Sequence, residues 1–318
     1  RSPLSPTPQF ISVAVKSIGI NFRDCLIALG RVDQDTLGGE CAGVVLAVGS
    51  EVSHVQPGDK VLVSACDTFQ TVISCNAQLA VKMPPNMTFP EAASIPTNFV
   101  TAYHALVRIA RLSKGESILI HSGAGGTGQA AVQIAQWCGV REIYTTVGSE
   151  SKKKLMVDKY DIPPERILNS RDLSFADDIK RLTGGKGVDV VLNSLAGDAL
   201  VAGWECVAPY GRFIEIGKKD IFGHGKLPMF QFAKNTSFCA VDLSALTVDR
   251  PEVIQEELGA VVELFRQGVL RLPEPMKVFS IKDVEAAFRY LQSGKNAGKV
   301  MVEVGADDLV PVISDVRP

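Results

Sequence analysis

Residues 121 to 136 run HSGAGGTGQAAVQIAQ, and no other stretch limits the possible folds as much. Before it, Ser117-Ile118-Leu119-Ile120 has the length and β-branched content of a buried strand. After it, Ala131, Val132, Ile134 and Ala135 give the apolar stripe of a short helix that ends near Gly139. A glycine turn between strand and helix lets the backbone bend tightly, approach a pyrophosphate and pack the helix on the strand, with the helix N-terminus facing the anion. Ala124, Gly125, Gly126, Thr127 and Gly128 are therefore candidate dinucleotide contacts, and a glycine-rich turn with no ligand is the plain alternative.

A second strand is expected over residues 142–146. Roughly 20 residues after the last glycine, an NAD-binding fold usually carries an acid for the ribose 2′-hydroxyl. Here that place holds Gly148 and Ser149, with Lys152, Lys153 and Lys154 just beyond. A hydroxyl and ammonium groups would hold a 2′-phosphate that a carboxylate would repel, so Ser149, Lys152 and Lys153 point to NADPH over NADH. The same lysines would also suit a solvated helix face, and Glu150 stands among them.

The balance of 46% hydrophobic and 21% charged residues in 318 argues against disorder and allows two domains. A net charge of −2 offers no field for nucleic acid or an anionic membrane. No apolar run approaches the roughly 18 residues of a membrane span and no signal-peptide core begins the chain, so a cytoplasmic location is expected. The cysteines, seven in number, are scattered and never spaced as CxxC, which argues against disulfides and a structural zinc site. The opening RSPLSPTP looks cut from something longer, although tag removal or processing would look the same.

Short β-rich runs with Gly-Gly and QPGD turns over residues 10–90 suggest a compact β domain. From about 97 to 242, strand and helix alternate, which argues a doubly wound parallel sheet with its ligand at the C-terminal strand ends. Those ends are Gly123, Asn193 with Leu195, and Ile216-Gly217 with Lys218. Residues 243–304 resume with helices and a closing strand; Val284, Ala287, Phe288 and Leu291 recur at helical spacing behind Ser280 and Asp283, which have the form of a capping box. Residues 305–318 look like a linker.

The ordered runs GINFRDCLIALG, GGECAGVVLAVGSEV, QPGDKV, HSGAGGTGQAAVQIAQ, NSRDLSFADDIKRLTGGKGVDVVLNSLAG, GRFIEIGKKD and SGKNAGKVMVEV resemble the enoyl reductase domain of animal fatty acid synthases and polyketide synthases, the fungal highly reducing type above all. The match spans about residues 10–304. The resemblance implies the medium-chain dehydrogenase/reductase architecture: a GroES-like β domain from residues 1–96 and 243–304 around a Rossmann domain at 97–242. Zinc alcohol dehydrogenases of that superfamily carry a cysteine and a histidine where this chain has Asn21 and Gly39, so the resemblance implies a metal-free reductase. It implies Lys218 and Asp242 as a proton-donating pair, with a surface salt bridge as the bland reading and Lys219 and Asp220 as adjacent decoys. Many bacterial relatives have a tyrosine where this chain has Arg31-Val32-Asp33.

The expected activity is NADPH-dependent reduction of an α,β-unsaturated thioester on the phosphopantetheine of an acyl carrier protein. The other domains of one synthase are expected partners, together with a possible homodimer. Asn21 and Thr101 are expected to line the nicotinamide cleft, and Lys299 to reach the cofactor or merely end a turn. Each of the four histidines has a packing or loop reading. The rival readings are a free-standing quinone or enone reductase and a catalytically silent structural domain, and the intact GAGGTG weighs against the second.

Overall fold

The computed structural model describes residues 6–32, 36–305 and 308–309. Asp33 and most of the expected linker lie outside the described residues. The chain divides into two compact units, Arg1–Thr97 with Ser244–Val262 and Glu274–Pro318, and Asn98–Leu243 with Glu263–Pro273. Residues 263–273, expected with the β domain, belong instead to the second unit. There the Phe265 ring meets Phe99 edge-on at 4.8 Å, and the Gln133 amide takes both the N–H and the carbonyl of Arg271 at 2.7 and 3.1 Å.

The second unit is built on six parallel strands: Ser117–Ile120, Glu142–Val147, Ile167–Asn169, Val188–Asn193, Val207–Glu215 and Ser237–Ala240. Numbered in chain order from Ser117–Ile120, they lie in the sequence 3-2-1-4-5-6, the doubly wound Rossmann order. Helices such as Gly126–Trp137, Glu150–Tyr160 and Ser174–Leu182 fill the connections. Ser117–Ile120 and its neighbour Val188–Asn193 are almost wholly buried, as the unbroken apolar runs require of central parallel strands. Side chains of Leu119, Tyr144, Phe175, Val191, Trp204 and Phe213 form one core.

The first unit is a seven-stranded sheet organised by Phe10–Ile20, which pairs antiparallel with Cys41–Val48, Val72–Asn76 and Lys299–Glu303. Register irregularities after Ser12 and Val15 bend this strand so that it serves three partners. Helix Val284–Gln292 turns Ala287 and Leu291 onto Ile20, Cys25, Val300 and Val302, as its spacing predicts. Its expected capping box is absent: the Ser280 hydroxyl caps the Lys282 N–H of a preceding 3-10 turn, and Asp283 brings no side-chain cap. Among the described residues, no helix is long and apolar enough to cross a membrane.

The Phe213 ring is stacked on Phe238 at 5.1 Å and meets Trp204 edge-on at 5.7 Å. Phe213→Ala is expected to cost about 3–5 kcal/mol, because the packed rings around it cannot close the hole; chemical denaturation of both chains measures it.

Candidate active site

The glycine turn sits where the first and fourth strands of the parallel sheet diverge, the place at which such sheets bind ligands. A Cβ on Gly123 would lie 1.9 Å from Thr145 Oγ1, and one on Gly128 would lie 2.4 Å from the Ser122 carbonyl oxygen. Both glycines thus permit close packing. A Cβ on Gly125 would meet the Ser122 carbonyl oxygen at 3.3 Å, a tight contact. Gly125 is also the N-cap of helix Gly126–Trp137 and brings no side chain to its free N–H groups. An uncapped helix start behind a partly exposed glycine fits the pyrophosphate of a dinucleotide. Ala124 and Gly128 are buried, Gly126 rests on the Asn98 side chain, and the Thr127 hydroxyl donates to Asn98 Oδ1 at 3.2 Å.

After the second strand, Ser149 caps helix Glu150–Tyr160 by accepting the Lys152 N–H, and its hydroxyl lies 3.1 Å from that of Ser151. Lys154 pairs with Asp158 at 2.8 Å, while Lys152 and Lys153 are half-buried on the same first turn. Arg171 arrives from beyond the third strand, and its Nε donates to the Gly148 carbonyl at 3.2 Å. Burial, followed by the nearby Arg171 charge, holds the Lys152 ammonium below the usual lysine range. Two cations pushed together beside a serine hydroxyl and a glycine suit a polyanion such as a 2′-phosphate.

At the other strand ends, Asn193 is fully buried. Its amide donates to the Leu195 carbonyl at 2.8 Å and to Glu215 Oε2 at 2.5 Å, so it shapes the Leu195 loop. Ile216 donates its N–H to the Asn193 carbonyl at 3.0 Å. The Lys218 ammonium lies 3.3 Å from Asp242 Oδ2 and donates to the Val241 carbonyl at 2.6 Å. Its side chain is 19% exposed and that of Asp242 is 39% exposed, so the pair is partly accessible from solvent.

The first unit holds a different cluster. The Lys299 ammonium contacts Glu40 Oε1 directly and donates to Asn21 Oδ1 at 2.6 Å, while Asn21 Nδ2 donates to Glu40 Oε1 at 2.9 Å. Glu40 Oε2 accepts the Thr97 N–H at 2.7 Å. Lys299 is 3% exposed and Glu40 fully buried. The Lys299 charge is held by Glu40, as a buried ammonium requires. Thr101 lies half-buried at the start of a one-turn helix, Thr101–Tyr103.

Residues 7–102 match the alcohol dehydrogenase GroES-like domain family, and residues 165–302 match the zinc-binding dehydrogenase family. The crystal structure of CurK enoyl reductase superposes with a TM-score of 0.85 at 37% identity, covering 96% of this chain and 94% of that one. The chain belongs to the enoyl reductase family. Its architecture is that of the medium-chain dehydrogenases/reductases. It is 44% identical to the highly reducing polyketide synthase tstA of Talaromyces stipitatus over 97% of its length, and spans 12% of that protein. The quinone oxidoreductase of Escherichia coli complexed with NADPH has the same fold, with a TM-score of 0.80 at 26% identity over 95% of this chain and 94% of that one. These likenesses make the chain an oxidoreductase of that family.

The zinc named in one family description does not fit the residues here. Asn21 is hydrogen-bonded to Glu40, and an ammonium already occupies the surroundings of its Oδ1. Among the described residues, no three His, Cys, Asp or Glu side chains gather as a metal site.

Three residues of this enoyl reductase escape a sequence pattern. Asn98 supports the glycine turn from 29 positions away, Arg171 joins the Ser149 turn from 23 residues beyond Gly148, and Glu215 reads as one more strand position. Only the NSRD run hints at Arg171.

Gly125→Ala and Gly128→Ala are both expected to weaken dinucleotide binding, and Gly128→Ala to lower thermal stability more, because its methyl group meets the Ser122 carbonyl oxygen at 2.4 Å rather than 3.3 Å. Thermal melts and cofactor titration separate the two. His121 gives an acid prediction. Its ring is buried against Phe175 with Nδ1 3.1 Å from Thr146 Oγ1, its Nε2 has no partner, and burial pushes its pKa down to about 3. The unfolded chain then binds a proton between about pH 6.5 and about pH 3 that the folded chain refuses, so stability present above that window is lost as pH falls. His121→Leu is expected to remove a contribution on the order of 5 kcal/mol from the acid slope, read from denaturation midpoints across the window.

Proposed function

We propose that the chain is an NADPH-dependent enoyl reductase that reduces the α,β-double bond of a thioester carried on the phosphopantetheine of an acyl carrier protein. The observation that carries this reading is the Lys218–Asp242 couple, placed at the C-terminal strand ends of the same sheet whose glycine turn forms the dinucleotide cradle. NADPH bound there supplies a hydride to the β-carbon of the substrate.

Gly125, Gly126 and the uncapped helix start receive the pyrophosphate, while Ser149, Lys152 and Arg171, with Lys153 on the same turn, face the 2′-phosphate. Thr127, Leu195, Ile216 and Gly217 border the cofactor through the turn and the strand-end loops, with Asn193 shaping one of them from beneath. When the β-carbon has gained its hydride, electron density moves to the thioester oxygen and the α-carbon needs a proton. Lys218 donates it, and Asp242 opposite steadies the ammonium beforehand and limits its freedom to point away. The Val241 carbonyl fixes a second direction for the same ammonium.

A place in a larger synthase is supported by the relatives, of whose length the chain spans about an eighth. The carrier protein and neighbouring domains are the partners of this reading, and a second copy of the synthase would bring two such domains together.

Oxidation of NADPH and of NADH, followed with a crotonyl-pantetheine thioester and with a simple quinone as control, tests the reading. Thioester-dependent oxidation preferring NADPH is expected. Lys218→Ala is expected to lower kcat by roughly a hundredfold, and Asp242→Ala by less. Arg171→Ala is expected to raise KM for NADPH by about tenfold and leave that for NADH unchanged. Turnover of the quinone alone would point to a free-standing quinone reductase, and cofactor binding without turnover of either acceptor to a silent domain.

A further inference from the structure

Glu215 has no part in the chemistry above, yet it is 1% exposed and each of its three oxygens accepts a hydrogen bond. Its backbone carbonyl accepts the Val241 N–H at 2.8 Å. Its Oε2 accepts from the Asn193 amide at 2.5 Å, and its Oε1 takes the Gly217 N–H directly. One residue therefore ties together the ends of strands Val188–Asn193 and Val207–Glu215 and the exit from Ser237–Ala240. Lys218 follows Gly217 in the chain, and its ammonium donates to the carbonyl of Val241. Both the backbone from which Lys218 springs and the residue on which it lands are thus held by Glu215.

A neutral side chain of the same shape cannot do this. Both carboxylate oxygens face N–H donors, and a proton or an amide NH2 on either would set donor against donor. The charged groups around the carboxylate come from the following loop and helix. Lys218 favours ionisation and Asp220 opposes it, while Asn193 on the neighbouring strand and the Gly217 N–H favour it as hydrogen-bond donors. Asp242 follows the edge strand, and His121, 3.2 Å from a Cβ placed on Gly203, is kept neutral by burial. Burial outweighs the favourable contacts and pushes the Glu215 pKa up to about 7.

We propose that Glu215 is a positioning residue whose ionised carboxylate fixes the loop carrying Lys218, and so sets where the Lys218 ammonium sits against Val241 and Asp242. Its bearing on catalysis rests on the reading of Lys218 and Asp242 as the proton-donating couple.

The clamp makes Lys218 less reactive when Glu215 is ionised, which can be read without turnover. Acetylation with an N-hydroxysuccinimide ester, resolved by peptide mass spectrometry, gives the labelling of Lys218 relative to exposed Lys226. In the unmutated chain, this ratio is expected to fall roughly fivefold as pH rises from about 6 to about 8. In Glu215→Gln, checked for folding by circular dichroism, it is expected to stay high throughout. The thioester kcat of Glu215→Gln is expected to fall about tenfold, with KM for NADPH little changed. A ratio in the unmutated chain that matches that of Glu215→Gln throughout overturns the proposal. A step that persists in Glu215→Gln also overturns it. If the unmutated chain labels as expected but reduces no thioester, the positioning role stands and the reading of the couple as proton donor fails.

Discussion

The parallel order of the six-stranded sheet is the constraint on which the second unit depends. Parallel strands need crossover helices, and the crossovers leave every strand's C-terminal end on one edge. The glycine turn, the Ser149 turn, the Asn193–Leu195 loop, the Gly217–Lys218 loop and Asp242 share that edge for this reason, although more than a hundred residues separate the first from the last. The turn then depends on close approach. Thr145 leaves no room for a side chain at Gly123, and the Ser122 carbonyl leaves none at Gly128.

Glu40 in the first unit and Glu215 in the second are buried where several segments meet, and the two solve the resulting desolvation cost differently. Glu40 meets an ammonium, that of Lys299, and gains two further donors from Asn21 and Thr97. Removing one partner of such a pair strands the other in a medium that cannot solvate it, so the pair behaves as a single structural piece. Glu215 meets only neutral donors at hydrogen-bonding distance. Without a cation in contact, its charge is held less firmly, which is why burial moves its titration toward neutral pH.

The fold and half of the candidate site were legible because their signals are local. A strand, a glycine turn and a helix occupy the consecutive residues Ser117 to Trp137, and the run EIGKKD places Lys218 just beyond a strand end. The ion pair of Lys299 is not legible, since its partner Glu40 lies 259 positions away. Arg171 follows a three-residue strand whose position in the sheet decides what it faces, and nothing in the surrounding sequence states that position. That residues 263–273 pack with the second unit is not legible, because a helix end and a turn carry no mark of the partner they pack on, here Phe99 and Gln133. Glu215 looked like an ordinary position in a strand, because a sequence shows the carboxylate but not the absence of water around it.

The same reasoning orders the residues of the strand-end edge by how firmly each is fixed. Asn193 and Glu215 have no route to solvent and lock one another, so their geometry is set once the sheet forms. Lys218 and Asp242 are partly exposed, and a pair in contact with water is worth little to stability by itself. Its orientation therefore cannot come from the attraction between the two charges alone. It must be imposed from the backbone, through the Val241 carbonyl and the Gly217 N–H, and both of those lead back to the buried pair beneath. A partly exposed couple standing on a buried rigid one separates what solvent reaches from what must stay dry.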